Sequence, residues 1–163
     1  MPHLAILDLD GTILGTPDDD RALSALRVFL AGGWHIAIAT NQPARVRSDL
    51  CAARVIIAEA AGRDVPWYIC NHDIGDGCDC RKPQPGLLKC AIDDCGVPAI
   101  SAWMIGDKWS DMLAAQRIGI HCCLVEWFGY RRAGRTQMQP TKPPDVYCRD
   151  LLVAAELLTG VYT

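Results

Sequence analysis

The sequence predicts an α/β fold, a Rossmann-like parallel sheet with helices on both faces. Three observations predict it. Short apolar runs alternate with segments whose apolar residues recur at helical spacing, which is the signature of successive strand–helix units. The runs are apolar nearly throughout rather than at every second residue, as expected of strands covered on both faces. The length, 163 residues, suits one domain spanning the chain.

Residues 3–9, HLAILDL, are too short for a helix and are closed by Gly11, so they read as a buried strand. Thr16-Pro17-Asp18 opens a helix, with Thr16 as N-cap and Pro17 at its first position. Ala22, Leu23, Leu26, Phe29 and Leu30 form its apolar stripe, and Gly32-Gly33 ends it. Residues 34–39 are a second strand closed by Thr40-Asn41. Pro43 opens a helix to about Gly62, with Val46, Leu50, Ala53, Ile57 and Ala60 on its buried side. A third strand over 66–69 precedes an irregular stretch from Cys70 to Pro85. A helix then runs from Pro85 to about Cys95, where Gly96 and Pro98 stop it. Strand 102–105, helix 109–118 and strand 120–125 follow. Residues 128–144, rich in Arg, Gly and Pro, read as a surface loop before a last strand near Val146 and a helix over about 150–158.

Charge and composition exclude several classes. Sixteen Lys and Arg against nineteen Asp and Glu give a net charge of −3, which argues against general nucleic-acid binding. No apolar run approaches the roughly 18 residues of a membrane span. Nine cysteines cannot all pair internally, and MPHLAILDLDG lacks the basic-then-apolar pattern of a secretion signal. The expectation is therefore a cytoplasmic protein in which clustered cysteines bind metal or fill small buried spaces.

In open parallel sheets ligands bind beyond the carboxyl ends of the strands. The polar residues there are Asp8 and Asp10, Thr40 and Asn41, and Asp107, with Lys82 from the irregular segment. Asp8 and Asp10, two apart on a strand, point the same way and repel unless a cation compensates. With Asp107 they make an oxygen-rich site suited to Mg²⁺. Asp8 and Asp10 could simply start a turn, Thr40 could cap the next helix and Lys82 could be solvated. Their joint placement at strand ends suits phosphoryl chemistry instead. Thr40, the Asn41 amide and Lys82 supply the donors and the positive charge that a carboxylate needs to approach a phosphoryl group.

Asp8-Leu9-Asp10-Gly11-Thr12, Thr40-Asn41, Lys82-Pro83 and Gly106-Asp107-Lys108-Trp109-Ser110-Asp111 resemble, in order, the four motifs of the haloacid dehalogenase superfamily of phosphatases. The resemblance spans residue 4 to about 126. It implies Asp8 as the nucleophile forming an aspartyl-phosphate and Asp10 as general acid, then general base. It also implies Thr40 and Lys82 on the phosphate, and Asp8, the Asp10 carbonyl and Asp107 on Mg²⁺. Asn41 and Lys108 are counted with the substrate-binding residues. Asp111 supports the metal site or orients Lys82, a solvated helix acid being the alternative.

Cys70, His72, Cys78 and Cys80 follow the pattern C-x-H-x₅-C-x-C, three thiols and an imidazole suited to a closed tetrahedral Zn²⁺ site. The intervening residues are too polar to pack a core around them. Cys51, Cys90, Cys95, Cys122, Cys123 and Cys148 show no such grouping, and Cys51, Cys90 and Cys122 or Cys123 read as small buried side chains. The string Cys80-Arg81-Lys82-Pro83-Gln84-Pro85-Gly86 resembles the subgroup of heptose bisphosphate and histidinol-phosphate phosphatases. That resemblance implies Arg81 on the far end of the substrate. The chain departs from it at Leu9, where those heptose enzymes usually have Arg, and in a shorter loop before Cys78. Only 29 residues separate Asp10 from Thr40, which leaves no room for a large cap.

The expected function is a Mg²⁺-dependent phosphatase of a small phosphorylated metabolite, first a heptose bisphosphate. Histidinol phosphate is the alternative substrate. A polynucleotide 3′-phosphatase using Arg131, Arg132 and Arg135 is a second reading, and a non-catalytic phosphoryl-accepting switch a third. A switch of the receiver kind would place the acceptor Asp before the Lys on a later strand, whereas Asp107 follows Lys82. A monomer is expected, and Trp127, Phe128 and Tyr130 form either a contact patch or internal packing.

Overall fold

A computed structural model describes residues 1–43, 50–125 and 142–162. β1 (His3–Leu7) is buried at every position after His3, because a strand flanks it on each side and helices cover both faces. The other strands are β2 (Trp34–Asn41), β3 (Trp67–Cys70), β4 (Ala102–Gly106), β5 (His121–Val125) and β6 (Val146–Cys148). All neighbours are parallel, in the order β3-β2-β1-β4-β5-β6. Successive crossovers leave β1 in opposite directions, to β2 and β3 on one side and to β4 through β6 on the other. That reversal opens a crevice at the carboxyl end of β1. In register, Leu7 faces Ile38 of β2 and Ile105 of β4, so Asp8 emerges at that crevice.

The helices are α1 (Asp19–Ala31), α2 (Leu50–Ala61), α3 (Gly86–Cys95), α4 (Trp109–Arg117) and α5 (Leu151–Thr159). α1, α2 and α5 cover one face, where Leu26, Phe29, Ile57 and Leu151 pack on Leu7, Ile38 and Ile105. α3 and α4 cover the other, with Leu88, Ala91, Met112 and Ala115 against Ile6, Ala39 and Met104. Both sides of the sheet are therefore sealed, as the continuous apolar runs predicted.

Several local expectations are corrected. α1 is capped by Asp18, whose carboxylate accepts from Arg21 N at 2.9 Å. Thr16 lies too early to do so, and its N–H and hydroxyl both donate to Asp19 Oδ1 at 2.7 Å. β1 stops at Leu7, so Asp10 sits in the following turn rather than on the strand beside Asp8. Cys51 and Cys90 are exposed, whereas Cys122, Cys123 and Cys148 are buried. Pro43 is described and is not helical, so it does not itself open α2; residues 44–49, Val46 among them, most of the 128–144 loop, its three arginines, and Trp127, Phe128 and Tyr130 lie outside the described residues. Among the described residues no helix is long and apolar enough to cross a membrane.

Phe29 has no solvent exposure and packs its ring 5.6 Å from that of Trp34. Phe29→Ala should cost about 3–5 kcal/mol, read as a lower urea midpoint at unchanged slope.

Candidate active site

The turn after β1 is built around Leu9, whose carbonyl accepts from the N–H groups of Thr12, Ile13 and Leu14 at 3.0–3.3 Å. Asp8 still belongs to the ladder, since its N–H donates to Ile105 O at 3.0 Å. Its carboxylate is buried while that of Asp10 is exposed. Gly11 makes this reversal with φ +82°, and a Cβ there would meet Asp107 Oδ2 at 2.5 Å. Glycine is thus required both by the backbone and by the approach of the β4 acid.

Lys82 enters the crevice from the opposite side. Its Nζ donates to Asp8 Oδ1 at 2.6 Å and to Ala39 O at 2.6 Å, and lies 2.7 Å from Asp111 Oδ1. The side chain is 2% exposed. Burial alone would strip its proton, but Asp111 and Asp8 outweigh it and hold the ammonium well above its ordinary range. Asp111 is therefore no solvated helix acid. It is 1% exposed, takes Lys82 on Oδ1 and accepts the Lys108 N–H on Oδ2 at 3.1 Å, closing the first turn of α4.

Asn41 holds a neighbouring backbone segment and also lines the pocket that leads outward from Lys82. Its Nδ2 donates to Lys82 O and its Oδ1 accepts from Lys82 N, both at 3.0 Å, so the amide clamps the Lys82 backbone. Arg117 of α4 braces the same segment through Pro83 O at 2.8 Å and Gln84 Oε1 at 3.0 Å. Thr40 is buried at the end of β2, and Gln42 bridges it to the turn: Gln42 Nε2 donates to Asp10 Oδ2 at 2.7 Å and to Thr40 Oγ1 at 3.1 Å. Sequence reasoning missed Gln42 and Arg117. A polar residue directly after Thr40-Asn41 was the available signal for the first. Nothing local marked the second.

Asp107 is 2% exposed, and among the described residues neither carboxylate oxygen has a hydrogen-bond partner. Burial pushes its pKa up to about 7; Lys108 opposes the rise, while Asp8 and Asp111 add to it. The Lys108 ammonium leans over the same spot, 3.5 Å from Asp107 Oδ1, 3.8 Å from Asp8 Oδ2 and 3.3 Å from Asp10 O. Those three oxygens are the ones expected to hold a cation, and a positive charge already seeks them. Asp8 and Asp107, with the Asp10 carbonyl, could hold a hard divalent ion, since Asp111 is fully engaged by Lys82 and Lys108.

A pocket of about 560 Å³ leads outward from Lys82, between Lys108 and Ser110 on one side and Ile74, Gly75 and Arg81 on the other. Its outer wall is the 70–80 loop. There Cys70 Sγ lies 3.7 Å from Cys78 Sγ, which lies 3.7 Å from Cys80 Sγ, and His72 Nδ1 is 3.5 Å from Cys70 Sγ and 3.2 Å from Cys80 Sγ. Sulfurs at about 2.3 Å from a tetrahedral zinc stand about 3.8 Å apart, so these four atoms could hold such an ion. Burial pushes the Cys80 thiol up to about 12, and the neighbouring Cys70 and Cys78 sulfurs add to it. Several thiolates crowded this closely need a cation. Arg81 turns its guanidinium onto the loop, donating to His72 O at 3.0 Å. Thus Asp8, Asp10, Thr40, Lys82, Asp107 and Lys108 meet at one crevice, Arg81 lines its outer wall, and the Cys/His cluster stands beyond.

This chain is similar to known proteins over most of its length. The HAD-hydrolase-like family model matches residues 79–154. The D-glycero-β-D-manno-heptose-1,7-bisphosphate 7-phosphatase of Pseudomonas aeruginosa is 33% identical over 143 residues, covering 76% of this chain and 80% of that protein. The Bordetella bronchiseptica enzyme of that name is 30% identical over 181 residues, covering 95% and 97%. The crystal structure of the D,D-heptose 1,7-bisphosphate phosphatase from B. bronchiseptica, complexed with magnesium and phosphate, superposes with a TM-score of 0.79 at 28% identity over 97% of this chain and 98% of that one.

The raised Asp107 carboxyl makes stability pH-dependent in a defined direction. Between about pH 4 and 7 the folded state keeps a proton that the unfolded state releases, so metal-free stability falls as pH rises through that window. Asp107→Asn should flatten this slope and, without divalent cation at pH 8, unfold on the order of 2 kcal/mol later than wild type. Divalent cation should raise the wild-type melting temperature and leave that of the variant nearly unmoved, as checked by calorimetry. Gly11→Ala should lose the same cation-dependent shift, because its methyl group displaces Asp107.

Proposed function

The chain belongs to the haloacid dehalogenase superfamily of phosphatases, and from that premise we propose that it cleaves a phosphomonoester of a small phosphorylated sugar through an aspartyl-phosphate on Asp8. The observation that carries this reading is the pairing of two unlike carboxylates. Asp8 is buried and fixed by Lys82, as a nucleophile must be. Asp10, two residues on, is exposed in a turn where it can reach a leaving group and then water.

In the first step the Asp8 carboxylate attacks phosphorus, the bond from phosphorus to the sugar oxygen breaks, and Asp10 gives its proton to that oxygen. In the second, Asp10 takes a proton from water as the water oxygen bonds to phosphorus. The bond from phosphorus to Asp8 breaks and inorganic phosphate leaves. Lys82, Lys108 and the Thr40 hydroxyl face the charge on the phosphoryl oxygens throughout. Asp8, the Asp10 carbonyl and Asp107 would hold magnesium, which would supply charge to neutralise the phosphoryl oxygens. Asn41 holds the segment that carries Lys82.

The preferred substrate is D-glycero-D-manno-heptose 1,7-bisphosphate. The names of the similar enzymes support it, and so does the outer wall of the pocket, where the Arg81 guanidinium stands ready for the far end of a bisphosphate. Zinc on Cys70, His72, Cys78 and Cys80 gives that wall its shape; four protein ligands leave no open position, so its part is structural.

Asp8→Asn should lower phosphate release at least about 1,000-fold while leaving the thermal transition in place; retained turnover would exclude the covalent route. Phosphate release with Mg²⁺ across heptose bisphosphate, histidinol phosphate, simple sugar phosphates and 3′-phosphorylated oligonucleotides should rank the heptose bisphosphate first by kcat/KM. Purified protein should carry one zinc per chain by elemental analysis. Cys78→Ser should lose that zinc and raise KM for the bisphosphate more than it lowers kcat.

A further inference from the structure

Gln42 is 3% exposed and sits directly beyond β2, its N–H donating to Cys70 O at 2.8 Å so that its backbone cannot drift. Its side-chain nitrogen makes two contacts, to Asp10 Oδ2 at 2.7 Å and to Thr40 Oγ1 at 3.1 Å. An amide nitrogen carries two hydrogens and accepts nothing, so these two bonds use both of them. The reverse orientation would set the amide oxygen against a carboxylate oxygen, so the chemistry of Asp10 fixes which end of the amide faces it. Two consequences follow for protons the reaction must place. Asp10 Oδ2 is occupied, and among the described residues Oδ1 has no hydrogen-bond partner. Thr40 Oγ1 is an acceptor toward Gln42, so its own hydrogen must point elsewhere, and among the described residues no other group bonds to it.

We propose that Gln42 is a positioning residue that assigns proton directions in the site: it turns Asp10 so that Oδ1 exchanges the proton with leaving group and water, and it makes Thr40 a donor to the phosphoryl group. This rests on the phosphatase mechanism proposed above and adds to it the device that separates the two roles. Asp10 is exposed in a turn, where a carboxylate would otherwise rotate freely. One short bond from a buried, backbone-anchored amide removes that freedom. The same amide reads the state of Thr40, so the acid and the phosphate donor are set by a single side chain.

The test separates chemistry from packing by the leaving group. A sugar oxygen must be protonated as it leaves; p-nitrophenolate need not be. First-turnover release is measured by rapid quench for heptose 1,7-bisphosphate and for p-nitrophenyl phosphate, in wild type, Gln42→Met and Gln42→Glu. Gln42→Met keeps length and packing without a donor. It should slow sugar release about 100-fold and p-nitrophenol release about tenfold, the excess being the misplaced acid. Gln42→Glu keeps the shape but sets an acceptor against Asp10, and its sugar-to-aryl ratio should fall below that of Gln42→Met. Thr40→Val combined with Gln42→Met should lose about tenfold less than the product of the single losses, because the two side chains act on one donor. Equal losses on both substrates, or a Gln42→Glu ratio matching wild type, would overturn the assignment of Asp10, and multiplicative losses would overturn that of Thr40. A wild-type enzyme that releases neither alcohol would remove the phosphatase mechanism and this inference with it, so the two failures are distinguishable.

Discussion

A lysine ammonium buried to 2% exposure is the constraint around which this molecule is arranged. Lys82 draws on three elements distant in sequence: Asp8 after β1, the Ala39 carbonyl of β2 and Asp111 of α4. Removing a charge from water is costly, and a buried pair repays it only with good geometry and complete hydrogen bonding. Here three oxygens lie within 2.7 Å of one nitrogen, one for each ammonium hydrogen. The arrangement is weak evidence for stability and strong evidence for position, because three oxygens from three elements converge on one nitrogen. It fixes the Asp8 carboxylate as a side effect.

What Lys82 leaves uncompensated is as informative. Asp8 and Asp111 share its charge, but Asp107 is buried and among the described residues has no hydrogen-bond donor, the partly exposed ammonium of Lys108 lying 3.5 Å away. Gly11 keeps the space beside this acid, since a side chain there would strike Asp107, and Gly106 does the same for Asp111. An acid kept bare in a cleared space beside a second carboxylate is under electrostatic stress that a divalent ion relieves. The crevice thus gathers oxygens that call for positive charge, and the Lys108 ammonium leans toward the same three.

The segment that delivers Lys82 has almost no regular structure. Between β3 and α3 it is held by side chains: Asn41 from β2, Arg117 from α4, and the sulfur and imidazole atoms gathered at Cys70, His72, Cys78 and Cys80. Arg81 N bonds to Cys78 Sγ at 3.4 Å, so the cluster and the catalytic segment touch directly. Gly86 N then donates to Asp79 O at 3.0 Å, and a Cβ on Gly86 would meet that same oxygen at 2.5 Å, which folds the loop tightly back onto the start of α3. A polar loop held this way can present Ile74, Gly75 and Arg81 as a rim without the bulk of a cap domain.

The six strands, the helices on both faces and the crevice at the end of β1 were legible in the sequence, because apolar runs and turn residues are local signals and a parallel sheet converts them into architecture. Asp8, Thr40, Lys82 and Asp107 were legible for the same reason: each directly follows an apolar run or stands beside a Gly/Pro turn. The Cys/His spacing likewise announced its own cluster. What remained hidden was which side chain each polar group meets. Asp111 reads as a support for the metal site, an orienter of Lys82 or a solvated helix acid until α4 packs it under Lys82. The clamp that Asn41 makes on the Lys82 backbone appears only once the loop 41 residues later is folded onto it. Gln42 and Arg117 gain their meaning from partners 32 to 34 residues away. Hydrogen bonds and ion pairs are directional over about 3 Å, a scale that sequence spacing does not reach across elements. The sequence by itself determined which chemistry was present and where along the sheet it would gather; the tertiary packing decided which acid meets a lysine, which amide clamps and which donates.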